Sequence, residues 1–73
     1  MYRLATQLSV NVCRVRAARG FTQVTLAARS RVSRATIALI ESGQSDPRLS
    51  TIVALAAALE CEPVDLLAAQ VGD

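Results

Sequence analysis

Apolar residues recur at helical spacing in five short runs between positions 4 and 67, and each run is cut off by residues that a helix does not pass. Leu4, Leu8, Val12 and Val15 fall on one face of a 3.6-residue period. They predict a first helix over residues 3–18. Gly20 closes it, in the position where a left-handed backbone meets no steric penalty, and Phe21 turns back into the core. Thr22 can cap a second helix over 23–29 by accepting from its free amide groups, with Leu26 and Ala27 inward. Ser30, Arg31 and Val32 form a tight link with Val32 packed in the corner, and Ser33 caps a third helix over 34–42 that buries Ile37 and Ile40. Gly43 ends that helix, and Asp46-Pro47 marks a loop, since a residue before proline is biased away from helix. A fourth helix is expected over 49–59 on the stripe Leu49, Ile52, Leu55, Ala56 and Leu59. Pro63 then suits the first position of a last helix over 64–69, with Leu66 and Leu67 inward. The expected fold is all-α: five helices in a single domain over 1–73, without strands or internal repeats.

The core must be aliphatic, because Tyr2 and Phe21 are the sole aromatic residues in a chain that is 52% hydrophobic. A chain of 73 residues buries only about 60–65% of the surface its unfolded form exposes, so it is marginal alone and gains from dimerisation. The longest apolar run, 52–59, is far below the roughly 20 residues of a membrane span, and Arg3 precedes no signal-like stretch. The expectation is a cytoplasmic protein with no membrane partner. Cys13 and Cys61 lie far apart in a chain with no histidine, so they predict neither a metal site nor a disulfide framework. Cys61 is expected in the core and Cys13 half exposed; no cofactor is implied.

Charge is divided sharply. Residues 1–40 hold Arg3, Arg14, Arg16, Arg19, Arg29, Arg31 and Arg34 with no acid, whereas 41–73 hold Arg48 against Glu41, Asp46, Glu60, Glu62, Asp65 and Asp73. Such asymmetry points to an electropositive face and a polyanionic partner; a solvated arginine-rich surface is the plain alternative. The predicted second and third helices, joined by a short turn, have the form of a helix-turn-helix, in which the second helix enters the major groove of DNA. Ala27 permits the close crossing, Thr22 and Ser33 cap the two starts, and Arg34 protrudes.

The ordered string Phe21-Thr22-Gln23, Leu26-Ala27, Val32-Ser33-Arg34, Thr36-Ile37, Ile40-Glu41, Gly43, Pro47, Leu55-Ala56 and Leu59 resembles the Cro/C1-type (Xre) helix-turn-helix family over roughly residues 10–68. That family includes phage repressors, restriction–modification controller proteins and antitoxins. The resemblance implies a lambda-repressor-like DNA-binding domain with its helix-turn-helix at 22–42 and a dimerisation region at 59–71. It implies contacts to bases from Arg34, Ala35, Thr36, Ala38 and Leu39. Arg34 is suited to O6 and N7 of guanine, and Ala35 and Leu39 to a thymine methyl. It implies contacts to the DNA backbone from Thr22, Gln23, Ser33, Gln44 and Ser45. The positive charges of Arg19 and Arg31 are expected to add backbone contacts, and those of Arg29 and Arg48 to add charge to the same footprint. Arg16 and Glu41 match a structural ion pair of the family. Leu59, Cys61, Val64, Leu67 and Val71 are expected to extend an apolar surface that forms the dimer interface, since the C-terminal helices of the family commonly pair across a two-fold axis.

Two positions depart from the family pattern: Arg31 and Glu60 stand where glycine is usual. A left-handed backbone at Arg31 would carry about 1 kcal/mol of strain. No enzyme is expected, because the chain has no histidine, no lysine, no phosphate-cradling glycine loop and no nucleophile with a base. Glu60, Glu62 and Asp65 are expected as solvated charges rather than a catalytic cluster. The expected function is a sequence-specific regulator that binds double-stranded DNA as a homodimer on a near-palindromic operator. Its size fits a restriction–modification controller or phage-type repressor, with RNA polymerase as a partner only for an activator. The alternative is an antitoxin or protein-interaction module on the same fold.

Overall fold

The computed structural model describes residues 4–68, in which α1 spans Leu4–Ala18, α2 Gln23–Ser30, α3 Arg34–Glu41, α4 Leu49–Leu59 and α5 Pro63–Leu67. The chain is all-helical across these residues. Each boundary has a local cause. Thr22 Oγ1 accepts from Thr25 N at 3.0 Å and Ser33 Oγ from Thr36 N at 3.1 Å, so both helices of the central pair start on a side-chain cap. Glu62 N donates to Asp65 Oδ2 at 2.9 Å, and Pro63 opens α5 with its φ already helical. Gly20 adopts φ +73° after α1 and needs no side-chain compromise to do so.

Two other helix ends lack that freedom. Arg31 caps α2 at φ 63° and Glu60 caps α4 at φ 59°, both left-handed. The turn chemistry of a glycine is thus met by bulky residues at a cost of about 1–2 kcal/mol each. At Glu60 part of that cost is offset by Arg19, whose guanidinium donates to the Glu60 carbonyl at 3.1 Å and to its carboxylate at 3.3 Å.

The core consists of Leu8, Val12, Leu26, Ile37, Ile40, Ile52, Leu55, Ala56, Leu59 and Leu66. It is supplied by every helix. α1 packs on α3 and α5, α2 on α3 and α4, and α4 on α5. Val15, Phe21, Ala27, Val32, Cys61 and Leu67 close its margins. Two expected core leucines lie outside it: Leu4 is 48% exposed and Leu49 69%. Each stands in the first turn of its helix, at the margin of the packed layer; Leu4 borders a small cavity with Ile52 and Leu67, and Leu49 faces solvent. Cys13 is exposed rather than half buried.

One buried polar residue has no counterpart in the apolar pattern. Asn11 is wholly buried, and its Nδ2 donates to the carbonyls of Leu66 and Ala68, both at 2.8 Å. The last carbonyls of a helix have no intrahelical donor. Asn11 therefore ends α5 from across the molecule and joins it to α1. Asn11→Ala is expected to lower the unfolding free energy by about 1–3 kcal/mol, since it strands buried acceptors. Urea denaturation measures it, and an unchanged midpoint would refute the role.

Candidate nucleic-acid interface

The site is built on α2 and α3, and one carboxylate fixes their mutual position. Glu41, at the end of α3, accepts from Arg16 Nε at 2.6 Å and Nη2 at 3.0 Å. Its Oε1 also accepts from Gln23 Nε2 at 3.1 Å. Arg16 donates a further bond to the Phe21 carbonyl at 2.8 Å, and Ser9 Oγ donates to the Glu41 carbonyl. α1, the turn before α2, the start of α2 and the end of α3 therefore meet at one ion pair. Its side chains are only 18% and 8% exposed, so solvent screens it less than a surface pair.

Burial alone would raise the Glu41 pKa. The hydrogen bonds from Arg16 and Gln23, with the charge of Arg16, outweigh that and hold the carboxyl below its ordinary value. The Arg16 guanidinium is correspondingly held charged by its hydrogen bond to Glu41.

Above this scaffold, the start of α3 is open to solvent. Ser33, Arg34 and Ala35 are exposed, Leu39 is 51% exposed, and Thr36 and Ala38 are half-buried. Ser33 Oγ donates to Thr36 Oγ1 at 2.8 Å. The two hydroxyls thus organise the cap, and Arg34 stands as the long polar side chain beside it. Thr22 is exposed at the start of α2, and Gln44 is exposed and Ser45 half-buried in the loop after α3. Arg31 is exposed in the turn between α2 and α3. Arg29 stacks 4.7 Å over the ring of Phe21, which restricts its guanidinium to that end of α2.

Three expected site residues have other partners. Gln23 is half-buried and spends one amide hydrogen on Glu41, so only its second Nε2–H and its backbone amide remain to face a phosphate. Arg19 is bound to Glu60. Leu59 is wholly buried within the protomer, which removes it from any surface where protomers meet. Its position on the α4 stripe made it apolar for the core, not for a partner. Cys61 and Leu67 are half-buried against the same core, Val64 is 65% exposed, and Val71 lies outside the described residues. Burial pushes the Cys61 thiol above its ordinary pKa, which keeps it protonated and unreactive. Among the described residues no His, Cys, Asp or Glu cluster could hold a metal ion, and no helix is long and apolar enough to cross a membrane.

A carboxylate whose folded pKa is depressed adds stability above its unfolded pKa, here about 4.5, and that stability is lost as pH falls through the folded value. Unfolding free energy should therefore drop below about pH 4.5, and Glu41→Gln should flatten that acid limb. At neutral pH, Glu41→Ala should cost about 3 kcal/mol because it leaves Arg16 poorly solvated and unpaired. Denaturant titrations across pH check both, and an acid limb identical in Glu41→Gln would contradict the assignment.

Comparison with known proteins agrees with this geometry. The helix-turn-helix family HTH_3 matches residues 14–66. The restriction-modification controller protein C.AhdI from Aeromonas hydrophila has a similar crystal structure, with TM-score 0.83 and 34% identity over 89% of this chain and 98% of that one. A hypothetical transcription factor, NHTF, from Neisseria gives TM-score 0.85 at 29% identity over 89% of this chain and 75% of its own. An HTH_3 family transcriptional regulator from Vibrio cholerae gives 0.83 at 27% identity, over 86% of this chain but only 35% of that longer one. No curated protein matches the chain. With the family's match covering most of the sequence and five helices in the arrangement of these structures, the chain belongs to the Cro/C1-type helix-turn-helix family HTH_3.

Proposed function

We propose that this protein is a sequence-specific regulator of transcription that binds double-stranded DNA as a homodimer on a near-palindromic operator. The observation that carries the reading is the exposed start of α3, where Arg34 and Ala35 project beside the Ser33 cap from a half of the chain that holds no acid. A helix start of this kind, braced by α2, fits the width of a major groove. Arg34 is assigned to a guanine edge. Thr36 and Ala38 border the same groove face. Phosphates are assigned to Thr22, the second amide hydrogen of Gln23, Ser33, Arg31, Gln44 and Ser45. Arg19 is assigned to the fold instead, since its guanidinium is held against the carbonyl and carboxylate of Glu60.

The likeness to a restriction–modification controller at 34% identity favours that role over an antitoxin. For the dimer, α4 and α5 supply the apolar surface. Leu49 and Val53 lie one turn apart on α4 and are 69% and 47% exposed, and Val64 on α5 is 65% exposed. These three take the place of Leu59. Side chains of that size left in water favour a partner.

Selection from a random oligonucleotide pool should return a sequence with two inverted halves about one helical turn apart. On that duplex, Arg34→Ala should cost about 1–3 kcal/mol and relax preference at one base pair per half. Affinity should fall with salt at a log–log slope near −0.9 per phosphate neutralised. Equal losses on every sequence would reassign Arg34 to phosphate, and salt-independent binding of a protein partner alone would overturn the reading. Sedimentation at micromolar concentration should show a dimer that Val53→Glu converts to monomer. A wild-type monomer that binds one half-site tightly would rule the dimer out.

A further inference from the structure

α3 packs on α1 and α2, and α5 packs on α1 and α4, so α1 is the helix that the two have in common. Its attachments to them are interleaved. Ser9 donates to the Glu41 carbonyl at the end of α3, and Arg16 holds the Glu41 carboxylate. Between them, Asn11 is wholly buried and donates from Nδ2 to the carbonyls of Leu66 and Ala68, both at 2.8 Å. The side chains that hold α3 and the one that holds α5 thus lie within about two turns of a single helix. α5 needs such a hold. It spans only Pro63–Leu67, too short to persist without tertiary contacts, and Leu66 is its one fully buried side chain. A single buried leucine locates a helix without fixing its rotation. Two directional bonds to carbonyls at its end do fix it, because turning α5 would leave a buried acceptor unpaired. That rotation decides where Val64 points, and Val64, 65% exposed, is part of the surface assigned above to a second protomer.

We infer that Asn11 is a positioning residue for operator recognition: it locks α5 to α1, and through α1 it fixes the angle and distance between the pairing surface and α3. On a two-fold operator that angle and distance are read as the spacing of the two half-sites. An apolar side chain at position 11 would fill the same space but hold α5 by packing alone. A fully satisfied buried amide specifies one arrangement, which is what a fixed spacing requires. The inference rests on the DNA-binding dimer proposed above and adds what makes that dimer selective for spacing.

The test compares the full chain with Asn11→Leu, which keeps a side chain of similar size and removes both donors. Each is titrated with the selected duplex, with that duplex after one base pair is added or removed between the halves, and with an isolated half-site. Each added base pair turns one half by about 34–36° relative to the other. The wild type should lose about tenfold in affinity at either altered spacing. In Asn11→Leu that penalty should shrink to about twofold and affinity for the selected duplex should fall about tenfold, while half-site affinity stays within about twofold of wild type. Unfolding curves set a temperature at which both proteins are folded. Should Asn11→Leu not fold, Asn11→Ser keeps one donor and should show an intermediate penalty. A wild type indifferent to spacing would overturn the inference whatever the variants do. So would a variant whose spacing penalty matches wild type, or whose half-site affinity falls as far as its affinity for the selected duplex, since Asn11 would then only support the fold. A wild type that sediments as a monomer would overturn the dimer itself, and failure to bind any duplex would overturn the DNA-binding reading.

Discussion

The carboxylate of Glu41 is the point on which the arrangement depends. It receives two bonds from Arg16 and one from Gln23, and thereby sets the end of α3 against both α1 and the start of α2. Such a pair is not expected to add much stability compared with well-packed apolar residues; its removal on one side is what costs. Its value is geometric. Apolar packing alone, through Leu26, Ile37 and Ile40, tolerates small rotations of one helix on another. A bidentate pair with a third donor tolerates much less, because charged hydrogen bonds are short and directional. In the DNA-binding reading α3 has to present side chains to base edges within fractions of an ångström, and the ion pair would supply that fixity from within the chain.

The same economy explains where strain sits. The turn between α2 and α3 has Arg31 in a left-handed conformation, where a glycine would be unstrained. A side chain there is exposed and positive beside the start of α3, which is useful to a phosphate-binding surface and of no use to the fold. Glu60 has the same strain on the far side of the chain, but its side chain is satisfied internally by Arg19. One left-handed residue therefore faces outward with its charge available, and the other is absorbed into the scaffold.

Much of this was legible in the sequence. The caps at Thr22 and Ser33 and the stops at Gly20 and Gly43 follow from local backbone chemistry, which acts over a few residues, whereas the extent of α4 follows from its apolar stripe. Even the left-handed Arg31 could be anticipated from its place in the turn. What sequence periodicity could not supply was the end of the core. Leu4 and Leu49 are apolar at the right phase but in a first turn, and only the tertiary structure shows how much of them stays exposed. Leu59 was misplaced for the opposite reason: an apolar residue near the chain's end suits a core or an interface equally, until burial decides. Asn11 was missed although a signal existed. It sits three residues after Leu8 and one before Val12, on the buried face, and a polar residue at that phase demands a buried partner. The partner, the end of α5, is 55 residues away, beyond any local pattern.

In the DNA-binding reading, the α2–α3 unit, and α3 above all, is the surface that meets DNA. Amide chemical shifts of the labelled protein, followed while the selected duplex is titrated in, test this residue by residue. The largest changes are expected on residues 22–24 and 33–39 and on the loop at 44–45, with the buried face of α1 little altered. Changes confined to α4 and α5, with residues 33–39 unmoved, would contradict it.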